Sequence, residues 1–183
     1  MKSFLLSALL GLLLALGSRP AAAGPPATTI YLVRHAEKDP TPGVADPLLT
    51  PAGQARALAL AKKLAGKHPV ALFTTDTRRT RATLAPLAQA THLTPLVYSP
   101  KEADAFAIRL YKEYPGQPVV VVGHSNTLLP LLAALGAKAP MSEIKDDEYD
   151  YLFKVELREG WPARLKVSRY GAATSAAGGA SMR

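Results

Sequence analysis

Two short apolar runs constrain this chain more than any other feature. Ile30-Tyr31-Leu32-Val33 and Val119-Val120-Val121-Val122 are continuous rather than alternating. Neither run keeps a polar face for water, so both read as strands covered on two sides. Strands of that kind belong to sheets with helices packed on each face. Each run leads into a histidine: Arg34-His35-Ala36-Glu37 follows the first, and Gly123-His124-Ser125-Asn126 the second. The C-terminal edge of such a sheet is where α/β folds bind ligands. One histidine there would be weak evidence, because a lone histidine is more often a structural hydrogen-bonder. Two in matching positions, with arginines between them in sequence, point to a pocket for a phosphoryl group.

The first residues stand apart from that pattern. Met1-Lys2 is a short basic start, residues 4–16 are apolar and rich in leucine, and Gly17-Ser18-Arg19-Pro20 breaks the stretch before Ala21-Ala22-Ala23. This is the pattern of a signal peptide, 1–23, cleaved after Ala23. The apolar stretch is shorter than the ~20 residues of a permanent span, so no stable membrane anchor is expected after cleavage. The expected location is periplasmic or secreted. There is no cysteine, which excludes disulfide chemistry, a thiol nucleophile, a cysteine-ligated zinc and a lipid-modified cysteine. The formal charge of +8 falls to about +6 on loss of Lys2 and Arg19. That excess serves solubility or attracts anionic ligands. No nucleic-acid partner is expected, because the basic residues are scattered and no aromatic-rich binding motif accompanies them.

About 160 residues then remain, the size of one domain, expected over 24–170 with a disordered tail at 171–183. The chain reads as a strand at 29–33, a loop at 37–49 lying over the pocket, and a helix at 52–64. Thr50 caps that helix and Pro51 opens it. Its inward face is Ala57, Leu60, Ala61 and Leu64, with Gln54, Arg56, Lys62 and Lys63 outward. A strand at 70–73 leads through an arginine-rich turn into a helix at 79–90, which Pro86 should kink or reset. A weak strand at 96–98, a helix at 102–114, a strand at 119–122 and a helix at 127–135 follow. Residues 149–157 and 165–170 then suit a hairpin. The predicted class is α/β: a three-layer sandwich, with a mostly parallel central sheet and helices on both faces.

Three segments together carry a family resemblance. Arg34-His35-Ala36-Glu37-Lys38 resembles the Arg-His-Gly/Ala signature of the histidine phosphatase superfamily, the phosphoglycerate-mutase-like fold. Thr75-Asp76-Thr77-Arg78-Arg79-Thr80-Arg81-Ala82-Thr83 is similar to that family's Ser-Asp-Leu-x-Arg-Ala-x-Gln-Thr turn. Gly123-His124-Ser125-Asn126 resembles its second histidine motif. The order matches, and each segment follows a strand. The chain lacks the Gly-x-Arg-x-Pro extension of the acid-phosphatase branch and is too short for its extra helical domain, so it resembles the compact branch.

The resemblance implies a metal-independent phosphomonoester hydrolase with no cofactor, acting on a small phosphorylated substrate through a phosphohistidine at His35. Arg34, Arg79 and His124 would bind the phosphoryl oxygens, consistent with the several fixed donors that a dianion needs. Alignment selects Arg79 over Arg78 and leaves Arg81 as the fallback. Ser125 and Asn126, where the family has glycines, either donate to the substrate or shape the turn. Thr83 packs or caps. Glu102 is the candidate general acid in the expected interval, with Asp104 beside it and the cluster Asp146-Asp147-Glu148 at the rim. The absence of the usual acid motif keeps an alternative open: a non-catalytic phosphate-binding or envelope-interaction module with a degenerate site. A two-histidine metal site is disfavoured, since the flanking arginines would repel a cation.

Overall fold

The computed structural model of this chain describes residues 26–174. Along them run β1 (Thr28–Arg34), α1 (Pro51–Leu64), β2 (Ala71–Thr74), α2 (Arg78–Thr91), β3 (Leu96–Val97) and α3 (Ala103–Glu113). These are followed by β4 (Pro118–Gly123), α4 (Ser125–Ala134), β5 (Tyr151–Leu157) and β6 (Arg164–Arg169). The expected signal peptide and residues 175–183 of the expected tail lie outside the described residues. The strands form one six-stranded sheet of order β3-β2-β4-β1-β5-β6. Strands β3, β2, β4 and β1 are mutually parallel, while β5 runs antiparallel to β1 and pairs with β6 as the expected hairpin. The architecture is α/β with a mostly parallel sheet, as the two apolar runs dictate.

Why those runs do not alternate is visible in where their side chains go. Ile30, Leu32, Val119 and Val121 join Phe73, Phe106, Leu110, Leu128 and Leu131 in a core under α3 and α4. Tyr31, Val33, Val120 and Val122 join Leu60, Leu64, Leu84 and Leu87 in a second core under α1 and α2. Every position of the runs 30–33 and 119–122 is therefore buried, each large side chain contributing roughly 1.5–3 kcal/mol of transfer free energy. Among the described residues no helix is long and apolar enough to cross a membrane.

Local chemistry sets the element ends, with four departures from expectation. Thr50 caps α1 by accepting from Gly53 N–H at 3.1 Å, ahead of Pro51. Arg56, expected on the outward face, is instead 3% exposed. Helix α2 runs through Pro86 unbroken. The lost N–H costs one hydrogen bond, while Leu84 and Leu87 on either side are fully buried and hold the segment to the sheet. Helix α4 starts two residues earlier than expected, with His124 as its N-cap and the His124 N–H donating to Thr127 Oγ1 at 2.9 Å. Residues 171–174, the start of the expected tail, are tied down. Ala172 O accepts from Arg56 at 2.8 Å, and Thr174 Oγ1 accepts from Tyr149 N–H at 3.0 Å.

Candidate active site

Register alone brings the two histidines together. Strands β1 and β4 are neighbours with Arg34 opposite Gly123, so the next residue of each chain leaves the sheet edge side by side. His35 N–H donates to Gly123 O at 2.9 Å. The imidazole centroids lie 5.3 Å apart with planes at 64°. His35 is 3% exposed, and its Nδ1 lies 2.8 Å from Ala36 O. A carbonyl can only accept, so Nδ1 carries the proton and Nε2 keeps its lone pair. His124 Nε2 is 2.8 Å from Thr75 Oγ1, and Thr75 stands just past the end of β2.

Both rings are held neutral. His35 is pushed down to about 3 by burial first, with the Arg34, His124 and Arg79 charges adding to it and the Ala36 hydrogen bond opposing. His124 is pushed down to about 4 by burial and then by Arg79 and Arg34, against Asp46. Desolvation and neighbouring cations both disfavour imidazolium.

The two arginines are held through their terminal nitrogens and keep an Nε without a partner. Arg34 Nη1 donates to the carbonyls of Lys145, Asp146 and Glu148 at 2.6, 3.1 and 3.2 Å. Its Nη2 faces the exposed Asp146 carboxylate at 3.5 Å, and the guanidinium lies 4.3 Å over the Tyr149 ring. Arg79 Nη1 meets Asp46 Oδ1 at 3.3 Å. In both residues Nε is buried with no partner. A buried donor left unsatisfied costs about 1–3 kcal/mol, and the charges of both guanidiniums reach the two imidazoles, so the cluster suits an anion.

The remaining expectations separate cleanly. Arg78 is exposed and Arg81 turns away to Asp76 at 2.7 Å, so Arg79 is the arginine of this turn that reaches the cluster. Thr83 packs and caps: its Oγ1 accepts from Ala36 N–H at 2.9 Å and donates to Arg79 O at 2.8 Å. Glu102 does not join the histidines. It is exposed at the cap of α3, in a surface hollow with Val97, Ser99 and Arg109, because it follows β3, the edge strand on the side of β2 away from β4 and β1. Ser125 and Asn126 occupy the first turn of α4 and line a groove with Ser142, Glu143 and Ile144. Asp146 reaches the rim as expected, whereas Glu148 is buried and accepts from Lys145 N–H at 2.9 Å.

Sequence reasoning missed Thr75, Asp46 and Tyr149. Thr75 was within reach, since the strand-end rule that found both histidines applies equally to β2. Asp46 lies in the loop and accepts Arg78 N–H at 3.1 and 3.0 Å on its two oxygens. The Tyr149 ring stands 6.0 Å from His35, at the end of a connection whose path no local pattern encodes. Among the described residues no group of three or more histidine, aspartate or glutamate side chains is placed to hold a metal.

Comparison with known proteins agrees with this geometry. The model of the histidine phosphatase superfamily (branch 1) matches residues 30–103, which takes in Arg34, His35 and Arg79 and stops short of His124. Among solved structures, the chain is similar to the protein histidine phosphatase SixA complexed with tungstate, at 19% identity, TM-score 0.62, covering 77% of this chain and 96% of that one. It is also similar to mycobacterial glucosyl-3-phosphoglycerate phosphatase with inorganic phosphate, at 20% identity and TM-score 0.54, covering 80% and 98%. A putative phosphohistidine phosphatase SixA from Agrobacterium tumefaciens matches at 22% identity and TM-score 0.57, covering 79% and 98%. Likeness at these identities establishes the fold. No curated protein matches the chain by sequence.

Proposed function

We propose, from the match of residues 30–103 to the histidine phosphatase superfamily model, that this chain is a metal-independent phosphomonoester hydrolase working through a phosphohistidine on His35. One observation carries the reading: two buried, unpaired guanidinium N–H donors, on Arg34 and Arg79, accompany a neutral histidine whose Nε2 is free to attack.

Nε2 of His35 bonds to phosphorus as the bond to the leaving oxygen breaks on the opposite side. The ring becomes cationic in the phosphohistidine, and its Nδ1–H, already donating to Ala36 O, stabilises that charge. Arg34, Arg79 and His124 hold the equatorial oxygens. Water then attacks phosphorus, the P–N bond breaks, and inorganic phosphate leaves with His35 neutral again. Glu102 supplies no proton in this scheme. Asp46 stands at the pocket, but its carboxylate is already engaged by Arg78 N–H and Arg79. The site therefore suits leaving groups that depart with little protonation, such as aryl oxides.

The test is hydrolysis of an aryl phosphate in excess chelator, with wild type beside His35→Ala and Arg79→Ala. Removing one anion-stabilising donor costs roughly 100-fold or more in rate, so both variants should fall at least that far. Wild type that binds phosphate tightly without turnover would overturn the proposal in favour of a phosphate-binding or envelope-interaction module. Activity lost on adding chelator would overturn its metal independence.

A further inference from the structure

Arg56 takes no part in the chemistry above, yet it is a charged side chain only 3% exposed. A buried cation is tolerated only when its donors are met, and here every nitrogen is engaged. Nε lies 3.0 and 2.9 Å from the two Glu37 carboxylate oxygens, and Nη2 lies 2.8 Å from Oε1. Nη1 donates to Tyr170 O at 2.9 Å, and Nη2 to Ala172 O at 2.8 Å. One residue thus joins α1, the segment two residues past the nucleophile, and the strap that follows β6.

We infer that Arg56 is a positioning residue for His35: by clamping Glu37 to the 170–174 strap, it holds the Ala36 carbonyl that fixes the His35 tautomer. That carbonyl belongs to the Ala36–Glu37 peptide. On one side of it, Ala36 N–H is held by Thr83 Oγ1 at 2.9 Å. On the other, Glu37 O accepts from Thr50 N–H at 2.9 Å. The approach there is close: a Cβ at Gly53 would lie 2.2 Å from Glu37 O. Arg56 supplies the grip on the Glu37 side chain, and with it the tie to the strap. The strap is itself secured by Tyr170 N–H on Asp150 O at 2.9 Å and by Thr174 on Tyr149.

The consequence is chemical. Neutral imidazole exists as two tautomers, and only the Nδ1–H form presents an Nε2 lone pair to phosphorus. With the Glu37 side chain released, the Ala36–Glu37 peptide keeps only its two flanking hydrogen bonds, its carbonyl shifts relative to Nδ1, and the ring samples both forms. Lysine cannot substitute, because a single ammonium does not reproduce the fork that meets a carboxylate and two carbonyls at once.

Arg56→Lys and Arg56→Met should each lose roughly 10- to 100-fold in kcat on an aryl phosphate, the range seen when a group orienting a functional histidine is removed. The inhibition constant for inorganic phosphate should stay near wild type, since Arg34, Arg79 and His124 are untouched. Nitrogen NMR of the His35 ring should show one Nδ1–H tautomer in wild type and a mixture in the variants. Methylguanidinium should restore part of the kcat of Arg56→Ala. Where an Arg56 variant does not fold, Glu37→Gln carries the same readouts, because Arg56 keeps its two carbonyls. Unchanged kcat in Arg56→Lys would overturn the inference, as would a loss of kcat with His35 still wholly Nδ1–H. The kinetic arm rests on the phosphatase reading. If wild type shows no turnover, that reading fails, while the tautomer measurement still decides the role of Arg56.

Discussion

Arg79 and Arg34 differ in how much freedom their surroundings leave them. Arg34 is fixed by three carbonyls and an aromatic ring, whereas Arg79 has a single ion pair, with Asp46. Both charges act on the histidine pair, and each guanidinium carries an Nε–H that lysine lacks. Arg79→Lys should therefore keep the positive charge but lose about 100-fold in kcat/KM, close to the loss in Arg79→Ala; full activity would show that charge alone suffices. His35, Arg34, Arg79 and His124 were legible because a residue at a strand end has one place to go. Arg56 was not read correctly, although a signal was present. It is four residues before Leu60 and shares its face, but its charge argued for solvent. What buries it lies 19 residues upstream in Glu37 and 114 downstream in Tyr170, and no local pattern reports such partners. Glu102 failed for the opposite reason: its interval in sequence suited an acid, but α3 starts away from the histidine pair.

At the scale of elements, the N-terminus of α2 and the loop before α1 act as one unit. Strand-like contacts close the base of the loop, with Lys38 bridged to Leu49 and Asp39 N–H donating to Leu48 O at 2.8 Å. Its far part is pinned by Asp46, whose carboxylate meets the Arg78 N–H at the positive end of the helix. Asp46→Ala should speed amide hydrogen exchange at Arg78 and across 40–48 by about fivefold, since an exposed charge-assisted cap of this kind is worth roughly 1 kcal/mol, and should leave the middle of α1 unchanged. Equal exchange in both proteins would mean that the loop is held by its base alone. Every strand and helix of the sandwich could be read from the sequence to within a few residues, because each is fixed by its own periodicity and caps. The loop's path over α2 could not, since one exposed aspartate among prolines has no period to betray its partner.

For the molecule as a whole, the refusal of both histidines to take up protons becomes a matter of stability. In the unfolded chain a histidine titrates near 6.5, while in the fold His35 sits at about 3 and His124 at about 4. Below pH ~6.5 the unfolded state therefore binds protons that the native pocket does not, and stability falls as pH drops from there towards 4. Tm should be flat between pH 7 and 8 and decline through pH 6 and 5. His35→Asn and His124→Asn should each shallow that decline; an unaltered slope in both would place the acid sensitivity elsewhere. The ends of the described chain stand in contrast to one another. Pro26 precedes β1 and packs beside Gly116 at the edge where the parallel strands begin, so the length of the strand, about 20 Å, separates it from the histidines. Thr174, at the other end, is bonded to Tyr149, whose ring is 6.0 Å from His35. Cargo joined ahead of Pro26, whether a fusion partner, a bead or a surface tether, leaves the mouth of the pocket turned outward and open. The same cargo joined after Thr174 begins at the threshold of that mouth and crowds whatever tries to enter.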